Sequence, residues 1–150
     1  MLSFKIELDE LEEEIDIYSR GHITVQGNSG IISSKLSKRN QSMMIFISLC
    51  ELLNSVRVLL TSPIKKTYNF VGVGCSFQFF IVKKASNKLI LTSVKNEVID
   101  EFIYGELVEE IWREVKIFML KYGNLLAQKG IVYNDLTYSL KEFKKQFNLQ

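Results

Sequence analysis

The sequence is short of several residue types, and each shortage closes off a class of function. It holds one histidine, His22, and two cysteines, Cys50 and Cys75, which lie 25 positions apart. Ser-His-Asp and Cys-His catalysis would each have to use that one histidine, and no nucleophile-elbow motif accompanies it. Zinc and copper sites need several imidazole or thiolate ligands at short spacing, so neither a metal nor a cofactor is expected. His22 itself reads as a surface or half-buried structural residue. The two cysteines stand in apolar surroundings and read as small hydrophobes rather than as a disulfide framework.

Proline occurs once, at Pro63, and alanine twice, at Ala85 and Ala127, while lysine, asparagine, isoleucine and phenylalanine abound. AT-rich coding sequences produce this bias, and a bacterial chain is expected. No linker rich in proline, glycine or serine and no internal repeat interrupts the 150 residues, which predicts one domain spanning 1–150. Long hydrophobic runs are missing as well. The stretch 43–60 is broken by Glu51, Asn54 and Arg57, and 71–82 is shorter than the roughly 20 apolar residues that a membrane span requires. The opening residues turn acidic without an apolar signal region. A cytoplasmic chain with no membrane partner is expected.

Glycine-based motifs fail on spacing. Gly72-Val73-Gly74 lacks the third glycine and following helix of a dinucleotide fingerprint, and Gly27–Gly30 lacks the phosphate-loop pattern. The acids from Asp9 to Asp16 lack the alternating ladder and fixed glycine of a calcium loop. Paired carboxylates are so numerous that none is singled out for acid–base work. The chain therefore reads as a protein other than an enzyme.

What is present is enough for a core: 47% of residues are apolar and 11% aromatic. Alternating Phe4, Ile6 and Leu8 predict a half-buried strand, and 15–19, 22–26 and 31–36 also read as extended, with Gly27-Asn28-Ser29-Gly30 as a turn. Ser42 is a candidate cap for a helix whose apolar face runs Ile45, Leu49, Leu52, Leu53, Val56, Leu59 and Leu60, stopped by Ser62-Pro63. Strands follow at 68–73, 75–83 and 89–94. Phe77, Phe79 and Ile81 share one face of the middle strand while Phe80 and Val82 share the other, so a partner or a second layer is expected to cover both. A long helix is predicted over 106–128, with Gly123 as a soft point inside it and Gly130 as a terminator. A final helix starts near Asn134 or Asp135. The expected fold is α+β: a mainly antiparallel sheet of five to six strands against two longer helices and a C-terminal helix.

The total charge, 19 bases against 17 acids, conceals strong segregation. Residues 1–16 hold seven acids and one base, residues 17–96 one acid and eleven bases, and residues 97–114 seven acids and one base. The candidate partner-binding residues are Glu7, Asp9, Glu10, Glu12, Glu13, Glu14 and Asp16 in the first acidic block. In the second they are Glu106, Glu109, Glu110 and Glu114, which share one flank of the predicted helix. If the two blocks meet, their merged surface would repel nucleic acid and attract a basic protein partner. On the basic side, Lys35, Lys38 and Arg39 flank a loop and Lys65-Lys66 follow Pro63, without the interleaved aromatics of a nucleic-acid motif.

A small α+β domain bare of catalytic residues and carrying acidic patches is similar, over its whole length, to the immunity proteins of bacterial polymorphic-toxin and contact-dependent-inhibition systems. The resemblance spans the Phe4–Leu8 strand through the closing Phe143–Phe147 helix. It implies a stoichiometric inhibitor that covers a cognate toxin's active site, with carboxylates where that toxin is a basic nuclease. Two alternatives stand beside it. One is a self-associating domain, a homodimer through the two-faced strand, and the other is a nucleic-acid-binding module using the lysines above.

Overall fold

The structure, a computed structural model, describes residues 1–10, 14–36, 39, 41–85, 87–126 and 130–150. Its chain order is β1 (Ser3–Leu8), β2 (Arg20–Gln26), β3 (Ile31–Ser33), β4 (Met43–Met44), α1 (Ile45–Thr61), β5 (Thr67–Val71), β6 (Gln78–Lys83), β7 (Lys88–Thr92), β8 (Val98–Ile103), α2 (Tyr104–Tyr122), a 3-10 turn (Gly123–Leu125) and α3 (Ile131–Gln146). The α+β class expected from the sequence is the one observed. The strands form two four-stranded antiparallel sheets rather than one of five or six.

In the first sheet β1 pairs with one edge of β2, while β3 and β4 share the other edge, β3 opposite Thr24–Gln26 and β4 opposite Arg20–Gly21. The second sheet is the meander β5-β6-β7-β8. Asn87 and Asn96 take positive φ in the β6–β7 and β7–β8 hairpins, a conformation asparagine tolerates better than most residues. Register puts Tyr68 opposite Ile81, Phe70 opposite Phe79, and Ile81 opposite Leu91, so one face of this sheet is a continuous aromatic and aliphatic layer. Phe70 stacks on Phe79 at 4.9 Å, and Phe4 of the first sheet meets Phe79 edge-on at 6.2 Å. The buried residues form one apolar cluster from Leu2 to Leu149.

Helix α1 is buried on most of its circumference, through Ile45, Phe46, Leu49, Leu52, Leu53, Val56 and Leu59, and packs on α3 and β5. Phe46 touches Phe118 of α2 at 5.5 Å. The turn after β2 lies directly on β8. Gly27 is required there, because a Cβ would stand 2.4 Å from the Ile99 carbonyl oxygen, and Ser29 N–H donates to that same carbonyl at 2.9 Å.

Several expected boundaries move, each for a visible reason. Residues 15–19 are turns rather than a strand: Asp16 accepts the Tyr18 N–H at 2.8 Å through its side chain and the Ser19 N–H at 3.1 Å through its carbonyl. Ser42 does not cap α1. It receives Arg20 instead, Nε on its hydroxyl at 3.0 Å and Nη2 on its carbonyl at 2.8 Å, and α1 starts three residues later without a side-chain cap. Strand β8 lies where an acidic block was read: Ile99, Asp100 and Phe102 are buried and Glu101 is exposed. Helix α2 stops at Tyr122, and Gly123 opens the 3-10 turn instead of sitting inside a helix. Gly130 is the N-cap of α3 rather than a terminator, so α3 begins ahead of Asn134.

Candidate functional site

The two acidic blocks touch at one point, Glu7 beside Glu114, along a seam where α2 lies against the free edge of β1. The geometry follows from matched repeats. Four helical residues advance about 6.0 Å and two strand residues advance about 6.8 Å, so carboxylates at i and i+4 can reach alternate strand N–H groups. Glu106 accepts the Leu2 N–H at 3.2 Å, and Glu110 accepts the Phe4 N–H at 3.0 Å. Arg113 closes the arrangement by pairing with Glu110 and, at 3.5 Å, with Glu114. Glu110 is only 6% exposed, a buried carboxylate with charged and neutral donors on it.

Farther along the seam, Glu7 of β1 and Glu114 of α2 line one cleft of about 330 Å³ with Lys5, Ile117, Phe118, Lys121 and Tyr122. Both acids are partly neutralised: Glu7 lies 3.4 Å from Lys5 and from Lys35. Asp9 faces the His22 Nε2 at 3.8 Å. Glu10, Glu14, Asp16 and Glu109 are exposed and, among the described residues, none of them makes an ion pair. Glu12 and Glu13 lie outside the described residues, as does Lys38. The nine candidate acids among the described residues thus divide. Glu106 and Glu110 hold the fold together, Glu7, Asp9 and Glu114 have local partners, and Glu10, Glu14, Asp16 and Glu109 face outward.

Past the acids, α2 presents apolar side chains to solvent. Leu120 is 77% exposed, Ile117 is about half exposed, and Leu125 and Ile131 continue outward beyond the helix. A groove of about 340 Å³ beside them is lined by Met119, Leu120, Tyr133 and Leu140. The α2 surface therefore runs from exposed and paired acids to exposed aliphatics.

The sequence reads His22 as a surface or half-buried structural residue; it is 8% exposed and sits in a polar cluster that the sequence does not announce. Its Nδ1 lies 3.0 Å from the Ser34 hydroxyl, with Asp9 across the ring. The residue types match a catalytic triad, yet Ser34 is 1% exposed and its Oγ already accepts the Ile23 N–H at 3.1 Å. A nucleophile must reach substrate, and this hydroxyl is enclosed. The cluster instead ties the segments after β1 and β3 to β2. Cys50 and Cys75 are free and half-buried, and Cys50 Sγ lies 3.2 Å from Ser139 Oγ of α3. Among the described residues, no group of three His, Cys, Asp or Glu side chains converges as a metal site requires, and no helix is long and apolar enough to cross a membrane.

Comparison with protein-family models, with curated proteins and with solved structures finds no match for the chain.

Proposed function

We propose that this chain is a non-enzymatic binding module that docks a basic protein partner on the β1–α2 face, as an immunity-type inhibitor docks its cognate toxin. The observation that carries the reading is the seam itself. It puts Glu7 and Glu114, which are far apart in the sequence, in one cleft lined also by Phe118 and Tyr122. Glu109 stands exposed on the same helix, and Ile117 and Leu120 supply apolar area beside it. An apolar centre with a charged margin is the usual anatomy of a protein interface, and an exposed acid such as Glu109 at the margin raises the encounter rate with a positive surface. A bacterial toxin domain with a basic active-site cleft is the partner this chemistry fits.

The test is affinity purification of the full chain from its native host at low salt, beside a variant carrying Glu109→Lys and Leu120→Asp. A basic chain recovered with the native protein and lost from the variant supports the reading. Recovery of the chain alone, or of the same partner with both proteins, sinks it.

A second reading rests on the outer face of the β5–β8 sheet. There Phe80, Val82 and Ile90 are half-buried, and Val71 and Ile103 are exposed. A second copy stacked on that stripe would make a homodimer. A strict monomer in light scattering at high concentration would remove it.

A further inference from the structure

We propose that the cleft at the C-terminal end of α1 is a binding site for a small, multiply charged anion of the phosphate class. The cleft is about 560 Å³, is lined by Thr61, Ser62, Lys66, Lys83, Lys84 and Tyr104 among others, and contains no acid among the described residues. It shares no residue with the β1–α2 cleft.

Its charge is built in by strand pairing. The Lys83 N–H donates to the Lys66 carbonyl at 2.8 Å, which sets the two lysines opposite each other just past the end of the β5–β6 ladder. Lys84 follows at once. Like charges directly opposite across strands destabilise a sheet. Among the described residues no carboxylate lies within 4 Å of any of the three ammonium groups. Lys83 Nζ donates to the Ser62 carbonyl at 2.7 Å, beyond the last turn of α1. A helix C-terminus carries only about half a negative charge, so one ammonium more than balances it and two remain uncompensated. Burial, and then the Lys66 charge, lower the Lys83 pKa from its ordinary value, as expected of a cation without a counter-charge.

The neutral groups suit the same occupant. Ser62 Oγ accepts the Ile64 and Lys65 N–H groups at 3.2 and 3.0 Å, which leaves its own proton for an acceptor oxygen. A phosphate group offers several such oxygens and up to two charges. The volume falls within the roughly 300–1,000 Å³ of small-ligand sites, and the lysines converge on one concavity. A single-stranded nucleic acid would call instead for an extended basic groove with stacked aromatics.

The probe is inorganic pyrophosphate, titrated calorimetrically into the full chain at low salt. Saturable binding at one per chain is expected, weakened about tenfold or more by Lys66→Gln and by Lys84→Gln, since each removes a charge-assisted hydrogen bond. Lys144→Gln, in the last turn of α3, should bind as the native chain does. Lys66 and Lys84 are preferred over Lys83 because Lys83 also holds the end of α1, and thermal unfolding of each variant checks that the fold survives. No saturable binding at millimolar pyrophosphate, or equal loss in Lys144→Gln, overturns the proposal. So does a mixed-sequence single-stranded oligonucleotide that displaces pyrophosphate at lower concentration, since the occupant would then be a nucleic acid. Failure here leaves the β1–α2 reading standing, because the readouts and residues are separate.

Discussion

The segment 1–16 and the segment 97–114 each carry seven acids, yet the fold treats them in opposite ways. On α2, acids at four-residue spacing meet the strand repeat of β1, and Glu106 and Glu110 become acceptors for its free N–H groups. After β1, Glu10, Glu14 and Asp16 lie in irregular chain and face solvent. The lesson is that spacing decides use. A carboxylate ties two elements together where the chain's repeat carries it to a donor; where no repeat does, it faces solvent, as Glu10 and Glu14 do, or serves only its own turn, as Asp16 does.

The largest test of this division is Glu110→Ala. It leaves the Phe4 N–H without its acceptor against the buried side of α2, and a loss of ~2 kcal/mol in urea unfolding is expected, followed through the emission of Trp112 on the same helix. Glu110→Gln keeps an acceptor and should cost about half as much. Equal losses would show that charge, rather than the hydrogen bond, holds the seam. Glu106→Ala comes next, at ~1 kcal/mol, because the Leu2 N–H it serves is only partly buried. Asp16→Ala should cost ~0.5–1 kcal/mol through the lost side-chain turn at Tyr18, without loosening the seam. The smallest effect on stability, within about 0.5 kcal/mol, is expected for Glu10→Lys combined with Glu14→Lys. If that pair destabilises the chain as much as Glu110→Ala does, the division between structural and free acids collapses.

Tyr68 offers a separate check on polar burial. Its hydroxyl is buried and, among the described residues, makes no well-formed hydrogen bond; burial and then the Glu51 charge raise its pKa above the ordinary 10.0, against a weaker lowering by the nearby Ser55 hydroxyl. The folded state then holds this proton more tightly than the unfolded one, so stability falls as pH rises above about 10. Tyr68→Phe should remove that slope and leave the neutral-pH stability equal or slightly higher.

Much of the fold was legible wherever one period ran uninterrupted. The Phe4-Ile6-Leu8 alternation and the three-and-four spacing from Ile45 to Leu60 both report one buried face, and both elements are present. Strand β8 was hidden because Asp100, itself buried, and Glu101 interrupt its apolar residues and read as part of a charge block. The role of Ser42 was equally hidden, since its partner Arg20 is 22 residues away and competes for a hydroxyl that looked like a cap. For the site, the sequence identified which residues were acidic and that they clustered. It could not distinguish Glu110 from Glu109, because their difference is the orientation of one helical turn toward β1. The enclosed His22–Ser34–Asp9 cluster had no sequence signal at all, as it arises from the pairing of β1, β2 and the chain after β3.

The α2 carboxylates have one more effect. An outer strand with unbonded N–H groups is a template on which another chain can add, and proteins commonly blunt such strands with charge or cover. Here α2 supplies both at once: its bulk lies along β1, and its acids occupy donors that an incoming strand would need. Chains that lose Glu106 and Glu110 together should therefore fail by sticking to one another before they fail by unfolding, and turbidity on gentle warming would rise ahead of the Trp112 transition.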